Sequence, residues 1–251
     1  MTPPSSTPTW ETTMSLEVVN LHAGYQRDID ILRGLNLVAR DGQLTTIIGA
    51  NGVGKSTLLK SIVGQLKPHS GSLTYQGLDL IKTPAKDLVR HGIAYIAQQH
   101  AIFKEMTVEE NVEMATWSFR GERARARRAR ERIYDRAPYL KEFRSRRAGL
   151  MSGGQQRLMQ LELALMSDPQ LLLIDEPTVG LDPKRAHTIY THLRALVSEE
   201  GKTILMVDQN VIAGTDVADY IYVLELGQNK LEGSKEKFDR EYRDTIADWL
   251  I

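Results

Sequence analysis

Residues 49 to 57 form the chemical pattern with the strictest spacing in this sequence. They read Gly-Ala-Asn-Gly-Val-Gly-Lys-Ser-Thr and match the spacing G-x-x-x-x-G-K-[ST]. Three glycines at these positions let the backbone curve until its N–H groups point inward, and a helix that begins near Lys55 adds its positive end. The pattern therefore predicts a nest for the phosphates of a nucleoside triphosphate.

Each residue of this phosphate loop has an expected role. Lys55 is expected to reach the β- and γ-phosphates, Ser56 to offer its hydroxyl to a Mg²⁺ ion, and Thr57 to pack in the first helical turn. The apolar run Leu44–Ile48 directly precedes the loop, and this strand–loop–helix context argues against a chance glycine-rich turn. The backbone nest itself would consist of Gly49, Ala50, Asn51, Gly52, Val53 and Gly54.

Two adjacent carboxylates, Asp175 and Glu176, follow the apolar run 171–174. The carboxyl ends of buried strands are where α/β sheets bind ligands, and neighbouring side chains there point in different directions. Asp175 is therefore suited to hold Mg²⁺ through its water shell, and Glu176 to face the γ-phosphate and polarise an attacking water as general base. The alternative is an ordinary charged strand end.

A second helix start that could bind an anion occurs at residues 150–157, which read Leu-Met-Ser-Gly-Gly-Gln-Gln-Arg. Ser152, the paired glycines Gly153 and Gly154, and the helix that follows supply the backbone donors for such a site. One chain that binds one nucleotide does not obviously need two of them.

The hydrophobic pattern predicts the elements that position these residues. Strands alternate with helices in the last third of the chain, which predicts a mainly parallel sheet covered by helices. Asp182 is the expected N-cap of the helix predicted at 183–200, which has a proline in its first turn. The predicted strands are 16–21, 35–38, 44–48, 72–75, 93–96, 171–174, 203–207 and 220–225, and the predicted helices are 55–66, 155–166 and 183–200.

Residues 104–150 change to a helical pattern that begins with a capping-box spacing from Thr107 to Glu110. An inserted helical lobe is therefore predicted. We interpret its arginines as a solvated, helix-favouring surface, with contact to anionic lipid headgroups or an acidic partner as the alternative. These arginines are Arg120, Arg123, Arg125, Arg127, Arg128, Arg130 and Arg132.

The composition limits the classes of partner. The chain has 251 residues with 32 basic and 32 acidic side chains, a balance that argues against an electrostatically driven nucleic-acid binder. It has no cysteine, which excludes disulfides and thiolate metal sites. No apolar stretch approaches the roughly 20 residues that a transmembrane helix needs.

The segment around Ser152 resembles the signature motif of ATP-binding cassette (ABC) proteins, usually Leu-Ser-Gly-Gly-Gln, with Met151 in place of the leucine. The resemblance implies that Ser152, Gly153, Gly154 and Gln155 reach across a head-to-tail dimer to the γ-phosphate in the partner's phosphate loop. Further landmarks in the expected order extend the resemblance over residues 16–232.

By the same resemblance, Tyr25 stacks on the adenine, and Gln98 contacts Mg²⁺ and the attacking water and connects the core to the helical lobe. Gln99 is the alternative to Gln98 with a shift of one residue. Asp182, in Gly180-Leu181-Asp182-Pro183, would lie at the dimer seam near the opposite site.

One position departs from the common family pattern. Where most ABC proteins have a switch histidine, this chain reads Val207-Asp208-Gln209-Asn210. The Gln209 amide can donate a hydrogen bond to a γ-phosphate oxygen but cannot carry a proton near neutral pH. This pattern is similar to one ATPase branch of the branched-chain amino acid importers and their amide and urea relatives, although Gln98 replaces the glutamate expected there and Leu163 the usual arginine.

The resemblance implies an α/β P-loop NTPase fold of the ABC nucleotide-binding type, with a mainly parallel sheet, an N-terminal antiparallel part and an inserted helical subdomain. The expected divisions are a disordered tail (1–14), a core (15–98 and 155–234), the helical subdomain (99–154) and a C-terminal helix (235–251).

The implied activity is hydrolysis of ATP with Mg²⁺, powering an importer from the cytoplasmic face of the inner membrane. The expected partners are integral permease subunits and a second ATPase subunit, a paralogue rather than an identical copy, with a solute-binding protein engaged only indirectly. The cargo would be branched-chain amino acids or related small amides and urea. The alternatives are a soluble ABC ATPase outside transport and a regulatory module that retains ATP.

Overall fold

The computed structural model describes residues 14–98, 102–119 and 121–242. In this part of the chain, two sheets are accompanied by eight α-helices. The strands are β1 (Met14–Ala23), β2 (Leu32–Arg40), β3 (Leu44–Ile48), β4 (Ser70–Tyr75), β5 (Leu78–Asp79), β6 (Ile93–Ile96), β7 (Leu171–Asp175), β8 (Thr203–Asp208), β9 (Tyr220–Glu225) and β10 (Gln228–Ser234). The helices are α1 (Lys55–Ile62), α2 (Val108–Ala115), α3 (Arg123–Arg136), α4 (Pro138–Glu142), α5 (Gly153–Leu165), α6 (Pro183–Ser198), α7 (Val211–Asp216) and α8 (Lys235–Glu241), with 3-10 turns at Ala85–His91, Thr116–Phe119 and Ala148–Leu150.

The larger sheet has six strands in the order β10-β9-β3-β8-β7-β6. Its members run parallel except for β10, which pairs antiparallel with β9. β8 lies between β3 and β7, with Asp208 opposite Ile48 and Val207 opposite Asp175. This register places the carboxyl ends of three strands side by side, so the loops that follow them meet at one edge of the sheet.

The central strands β3, β7 and β8 are buried along their whole length. Both faces of the sheet are covered, which explains why these strands are continuous apolar runs rather than alternating ones. Helix α1 and the smaller sheet pack on one face of the larger sheet and form one apolar cluster with it. Helices α5 and α6 pack on the opposite face and form a second cluster. The phosphate loop thus follows one fully buried strand directly, and the two acidic residues lie at the end of another.

The smaller sheet is antiparallel, in the order β2-β1-β4-β5. Together with the parallel sheet and the covering helices, it confirms the predicted α/β fold class. Strand β1 begins at Met14, inside the predicted tail, and residues 1–13 lie outside the described residues.

One predicted helix ends too late, and one strand was not predicted, each for a local reason. The helix expected at 55–66 ends at Ile62, because Gly64 takes a left-handed conformation with φ of 71° and stops it. Strand β10 was not predicted because its sequence is mostly polar and its residues are exposed or half-buried except for Gly233, as in an edge strand. The hairpin that leads into it has positive φ at Leu226 and Gly227, without the Asn-Gly or Asp-Gly pair that usually marks such a turn.

Residues 102–166 contain an apolar cluster of their own, formed by α2, α3, α4 and part of α5. The predicted capping box is present, since the Glu110 N–H donates to Thr107 Oγ1 at 3.2 Å and the Thr107 N–H donates to Glu110 Oε2 at 2.7 Å. Helix α3 buries Ala126, Ala129 and Ile133 and directs most of its arginines to solvent. The exact domain boundaries remain a prediction, and Arg120 lies outside the described residues.

The predicted C-terminal helix is described only as α8, where Phe238 is buried against the core and its ring contacts Tyr242 at 5.3 Å between centroids. The rest of that helix, with Ile246 and Trp249, lies outside the described residues. None of the helices in the described ranges has the length and apolar character needed to cross a membrane.

Candidate active site

The phosphate loop connects β3 to α1 with a backbone that side chains would obstruct. Gly54, the N-cap of α1, has a φ of 109°. A Cβ on Gly49 would lie 2.6 Å from the carbonyl oxygen of Leu224, closer than a real Cβ contact allows. Lys55 Nζ donates to the carbonyl oxygens of Gly49 at 2.7 Å and Ala50 at 3.1 Å. The predicted curl around the lysine is therefore present.

Lys55 is 5% exposed, and this burial lowers the pKa of its ammonium, while the carboxylates of Glu176, Asp175 and Asp208 act in the opposite direction. The acidic groups at the ends of β7 and β8 thus face the lysine closely enough to offset part of its desolvation. Thr57 is buried in the first turn of α1, as predicted.

Asp175 faces the start of α1. Ser56 Oγ donates to Asp175 Oδ1 at 3.2 Å, and the Tyr95 hydroxyl donates to Asp175 Oδ2 at 3.4 Å. Burial raises the pKa of Asp175. The two residues predicted to share a metal ion are therefore adjacent, and Tyr95, to which the sequence analysis assigned no role, orients the carboxylate from β6. Only the alternation along β6 could have indicated that Tyr95 points to the face of the sheet that α1 covers.

Glu176 turns away from Asp175 because its backbone is left-handed, with φ of 48°, and its N–H donates to the Val207 carbonyl at 2.9 Å. Its carboxylate is held by two amides. Gln98 Nε2 donates to Oε2 at 2.5 Å, and Gln209 Nε2 donates to Oε1 at 2.6 Å. The three residues predicted to be catalytic thus form one hydrogen-bonded group. The contacts predicted for Gln98 with Mg²⁺ and the attacking water stay predictions, and Gln99 lies outside the described residues.

Arg157 on α5 ties this group to the helix that begins at Ser152. Its guanidinium donates to the carbonyl oxygens of Gln98 at 3.1 Å and Glu176 at 3.4 Å, as well as to Ala97 O at 3.4 Å and Gln160 Oε1 at 2.7 Å. Arg157 is 7% exposed, and burial lowers its pKa. No sequence motif predicts a role for this residue, although its spacing of four and eight residues from the apolar Leu161 and Leu165 places all three on the inward face.

The other predicted contacts lie apart from this group. Ser152 caps α5, with the Gln155 N–H donating to Ser152 Oγ at 3.4 Å and the Ser152 N–H to Gln155 Oε1 at 3.0 Å. Among the described residues, no hydrogen bond or ion pair joins this turn to Lys55 or Glu176. A Cβ on Gly154 would meet the Arg185 side chain at 3.0 Å, while Gly153 is exposed.

Two further predicted residues are at the surface. Asp182 caps α6, accepting from the Arg185 N–H at 3.0 Å, and its side chain is half exposed. Tyr25 is 58% exposed, and Lys60 Nζ donates to its hydroxyl at 3.1 Å. The contacts predicted for Ser152, Asp182 and Tyr25 involve a nucleotide or a second subunit, and they stay predictions.

The arrangement has a definite chemical capacity. A backbone nest with a lysine can bind phosphates, and a carboxylate held in place by two neutral amides can accept a proton from a water molecule beside it. Both amides are uncharged donors, so they orient the carboxylate without neutralising its negative charge.

Comparison with known proteins identifies the family. The family model for ABC transporters matches residues 32–179. The high-affinity branched-chain amino acid transport ATP-binding protein BraG of Pseudomonas aeruginosa is 37% identical over 81% of this chain and 86% of its own. The probable branched-chain amino acid transport ATP-binding protein LivF of Archaeoglobus fulgidus is 34% identical over 90% of this chain and 97% of its own.

The fold also has solved counterparts. A crystal structure of an ATP-binding cassette of an ABC transporter in its ADP conformation has a TM-score of 0.83 and 29% identity, covering 95% of this chain and 98% of that one. Import proteins named for phosphonates and for sulfate or thiosulfate match as well, at 33% and 35% identity. With the phosphate loop, the carboxylate pair and the signature helix in place, this chain belongs to the ABC transporter family and is one of its ATP-binding, ATP-hydrolysing subunits.

Proposed function

We propose that this chain powers an importer of branched-chain amino acids or related small amides, and that Glu176 is the general base for ATP hydrolysis. The observation that carries the chemical part is the hydrogen-bonded group of Gln98, Glu176 and Gln209 at the edge of the phosphate loop. The cargo class is supported by the resemblance to branched-chain amino acid transport ATPases.

Mg²⁺ fits the donors beside the loop. Ser56 Oγ and Asp175 Oδ1 are hard oxygen donors that already face each other, and Gln98 can add an amide oxygen if its side chain turns from Glu176. No cluster of three or more His, Asp or Glu residues able to hold a metal occurs in the described ranges, as expected for an ion that enters with nucleotide phosphates. When bound, Mg²⁺ would neutralise developing charge on the phosphate oxygens.

In this proposal, Lys55 and the loop N–H groups bind the phosphates, and Tyr25 offers an exposed ring to the adenine. Glu176 accepts the proton of the attacking water. Gln209 fixes the orientation of Glu176 through one N–H of its amide, and the second N–H can donate to the γ-phosphate when the loop is loaded. The switch position therefore acts as a hydrogen-bond donor and not as a proton carrier.

The proposed assembly is a head-to-tail dimer in which Ser152 and Asp182 contribute to the partner's site. Both residues cap the start of a helix, and Gly153 and the Asp182 side chain are accessible to a second subunit. Integral permease subunits bind the dimer at the cytoplasmic face of the inner membrane. A paralogous second ATPase is favoured by the resemblance to the branched-chain amino acid importers.

The first experiment is the variant Glu176→Gln in the complex assembled with its permease subunits. Loss of general-base assistance should slow ATP hydrolysis by roughly 10²- to 10⁴-fold and leave ATP affinity nearly unchanged. Glu162→Gln is the matched control, because Glu162 is also buried but pairs with Arg136 on the far side of α5. Turnover of Glu176→Gln close to that of the unmodified protein would reject the assignment.

The cargo is tested separately by reconstituting the complex in proteoliposomes. ATP-dependent uptake should be highest for leucine, isoleucine, valine or a small amide such as urea. Uptake of phosphonate or sulfate instead would overturn the cargo class without affecting the assignment of Glu176. Isolation of the ATPase from membranes without any integral subunit would favour an ABC ATPase outside transport.

A further inference from the structure

A chain of buried hydrogen bonds lies behind Gln209. The hydroxyl oxygens of Thr178 and Tyr190 are 2.9 Å apart, and the Tyr190 hydroxyl donates to Asp208 Oδ2 at 2.7 Å. Thr178, Tyr190 and Asp208 are 7%, 3% and 1% exposed. Three polar side chains are thus sequestered from water and satisfied by one another.

The direction of these hydrogen bonds follows from the number of protons. A tyrosine hydroxyl has one proton, which it gives to Asp208, so it must accept the proton of Thr178. The second Asp208 oxygen accepts from the Asn210 N–H at 2.9 Å. Burial raises the pKa of Tyr190, and the phenol therefore stays protonated and remains a donor at neutral pH. Donors that polarise one another in series in a dry interior strengthen each contact.

Thr178 and Asp208, the two ends of this hydrogen-bond chain, are next to the residues of the proposed catalytic site. Thr178 is two positions after Glu176, and Asp208 directly precedes Gln209. Tyr190 lies on α6, the helix capped by Asp182. The Tyr190 hydroxyl therefore joins the loop that follows β7 to the last residue of β8, directly before Gln209, whose amide donates to Glu176.

Burial raises the pKa of Asp208, and the charge of Glu176 acts in the same direction. Asp208 in turn favours the charged form of Lys55. From α7, Gly214 packs on Asp208 and adds no charge, since a Cβ on this glycine would lie 3.3 Å from the Asp208 Cβ. Besides the Asn210 N–H and the backbone N–H of Gln209, the Tyr190 hydroxyl is the donor that fixes the carboxylate.

We propose that Tyr190 is a positioning residue for ATP hydrolysis. Its hydroxyl fixes the Asp208 carboxylate, Asp208 fixes the start of the loop that carries Gln209, and Gln209 then holds Glu176 at 2.6 Å. This inference deepens the proposed function and rests on the assignment of Glu176 as general base. Apolar packing alone does not require the hydroxyl, because the neighbours of Tyr190 on its helix, Ala186, Ile189 and Leu193, belong to an apolar cluster.

The decisive variant is Tyr190→Phe, which removes one oxygen and keeps the ring. In the assembled complex, we expect kcat to fall about tenfold, equivalent to about 1.4 kcal/mol, with KM for ATP changed less than about twofold. The contact being removed is a donor to a buried carboxylate, and its loss lets the loop of Gln209 relax.

Tyr222→Phe is the matched control. Tyr222 is 4% exposed, and its hydroxyl accepts from the Val38 N–H at 3.0 Å and donates to the Val38 carbonyl at 3.3 Å, between β9 and β2. This variant also removes one buried hydroxyl and should lower the melting temperature by a similar amount, but its kcat should stay within about twofold. Equal losses of kcat in the two variants would overturn the proposal, because they would reflect stability alone.

A double-mutant cycle tests the path through Gln209. If Tyr190 acts through this amide, Tyr190→Phe should cause no further loss of kcat in a Gln209→Ala background. A tenfold loss in both backgrounds would exclude that path. If Tyr190→Phe does not assemble, Thr178→Val removes the first donor instead, and its expected loss of kcat, about two- to fivefold, must also vanish in Gln209→Ala. An unchanged kcat in Thr178→Val would then reject the proposal.

The two assignments fail separately. An inactive Glu176→Gln together with a fully active Tyr190→Phe rejects only the positioning role. An active Glu176→Gln rejects the general base, whatever the result for Tyr190.

Discussion

The hydrogen bond from Gln209 to Glu176 predicts a measurable effect on turnover. A hydrogen bond to a charged group contributes about 1.5–3 kcal/mol, which corresponds to roughly 10- to 150-fold in rate. Gln209 is exposed, so a water molecule can replace its amide in Gln209→Ala, and we expect a loss near the lower end, about tenfold in kcat. Gln98 is less exposed, so Gln98→Ala should lose more.

The assay is steady-state release of phosphate at saturating ATP by the complex with its permease subunits. Gln228→Ala is the matched control, because the Gln228 amide also donates a hydrogen bond, at 2.9 Å to the Arg33 carbonyl, but on the edge strand β10. A kcat for Gln209→Ala within about twofold of the control would refute the assigned role, and so would a larger loss in Gln209→Ala than in Gln98→Ala.

The same position predicts a change in pH dependence. Histidine titrates near pH 6.5, whereas an amide does not titrate in this range. The ratio of kcat between Gln209→His and the unmodified protein should therefore change between roughly pH 5.5 and 8. A constant ratio over this range would contradict the prediction, because it would show that titration of the new histidine has no effect on turnover.

Three further predictions concern other parts of the molecule. Gly49→Ala should unfold at a lower temperature than Gly52→Ala in thermal unfolding of both variants. A Cβ at Gly49 would meet a backbone oxygen at 2.6 Å, whereas a Cβ at Gly52 would meet nothing within 4 Å. Arg157→Met should lower kcat by about tenfold or more, which steady-state turnover measures. Its free energy of unfolding should change by less than about 1 kcal/mol in urea unfolding, because the loss of the hydrogen bonds to carbonyl oxygens is offset by removal of a buried charge. Asp168→Asn should destabilise the protein by about 1 kcal/mol at neutral pH, because buried Lys202 loses its partner at 2.8 Å. Lys202 lowers the pKa of Asp168, so this contribution exists above the ordinary carboxyl pKa and disappears as the pH falls through the lowered value; unfolding curves for the two proteins should converge in acid.

The sequence predicted the parts of the site that depend on local spacing. The phosphate loop needs glycines and a lysine at fixed positions along one turn, and Asp175 needs only to end a buried strand. Strands β3, β8 and β7 are adjacent and parallel, so their carboxyl ends lie at the same edge of the sheet. Gln209, which directly follows β8, therefore lies at this edge as well. The resemblance supplied the positions of Gln98 and Gln209.

What the sequence could not predict depends on contacts between distant segments. The direction of the Gln209 amide is set by Glu176, which lies on another strand and turns toward it through an uncommon backbone conformation. Tyr95 and Tyr190 look like ordinary core aromatics until the buried carboxylates beside their hydroxyl groups are located. The early end of α1 was missed because Leu66 continues the apolar spacing of the helix beyond Gly64. The polar edge strand β10 was missed because the Leu226–Gly227 turn gives a weak sequence signal.

The backbone of Glu176 has a consequence for how this protein can evolve. A non-glycine residue at φ of 48° carries an energetic penalty of about 1–3 kcal/mol, and the residue must also keep a nearly dry carboxylate beside Asp175 and Asp208. Replacement of Glu176 by glycine or asparagine would relax both constraints. With Glu176 as the proposed general base, a laboratory selection for heat tolerance alone would therefore reward descendants that no longer hydrolyse ATP, and thermal robustness and fitness in the cell would diverge at this one codon.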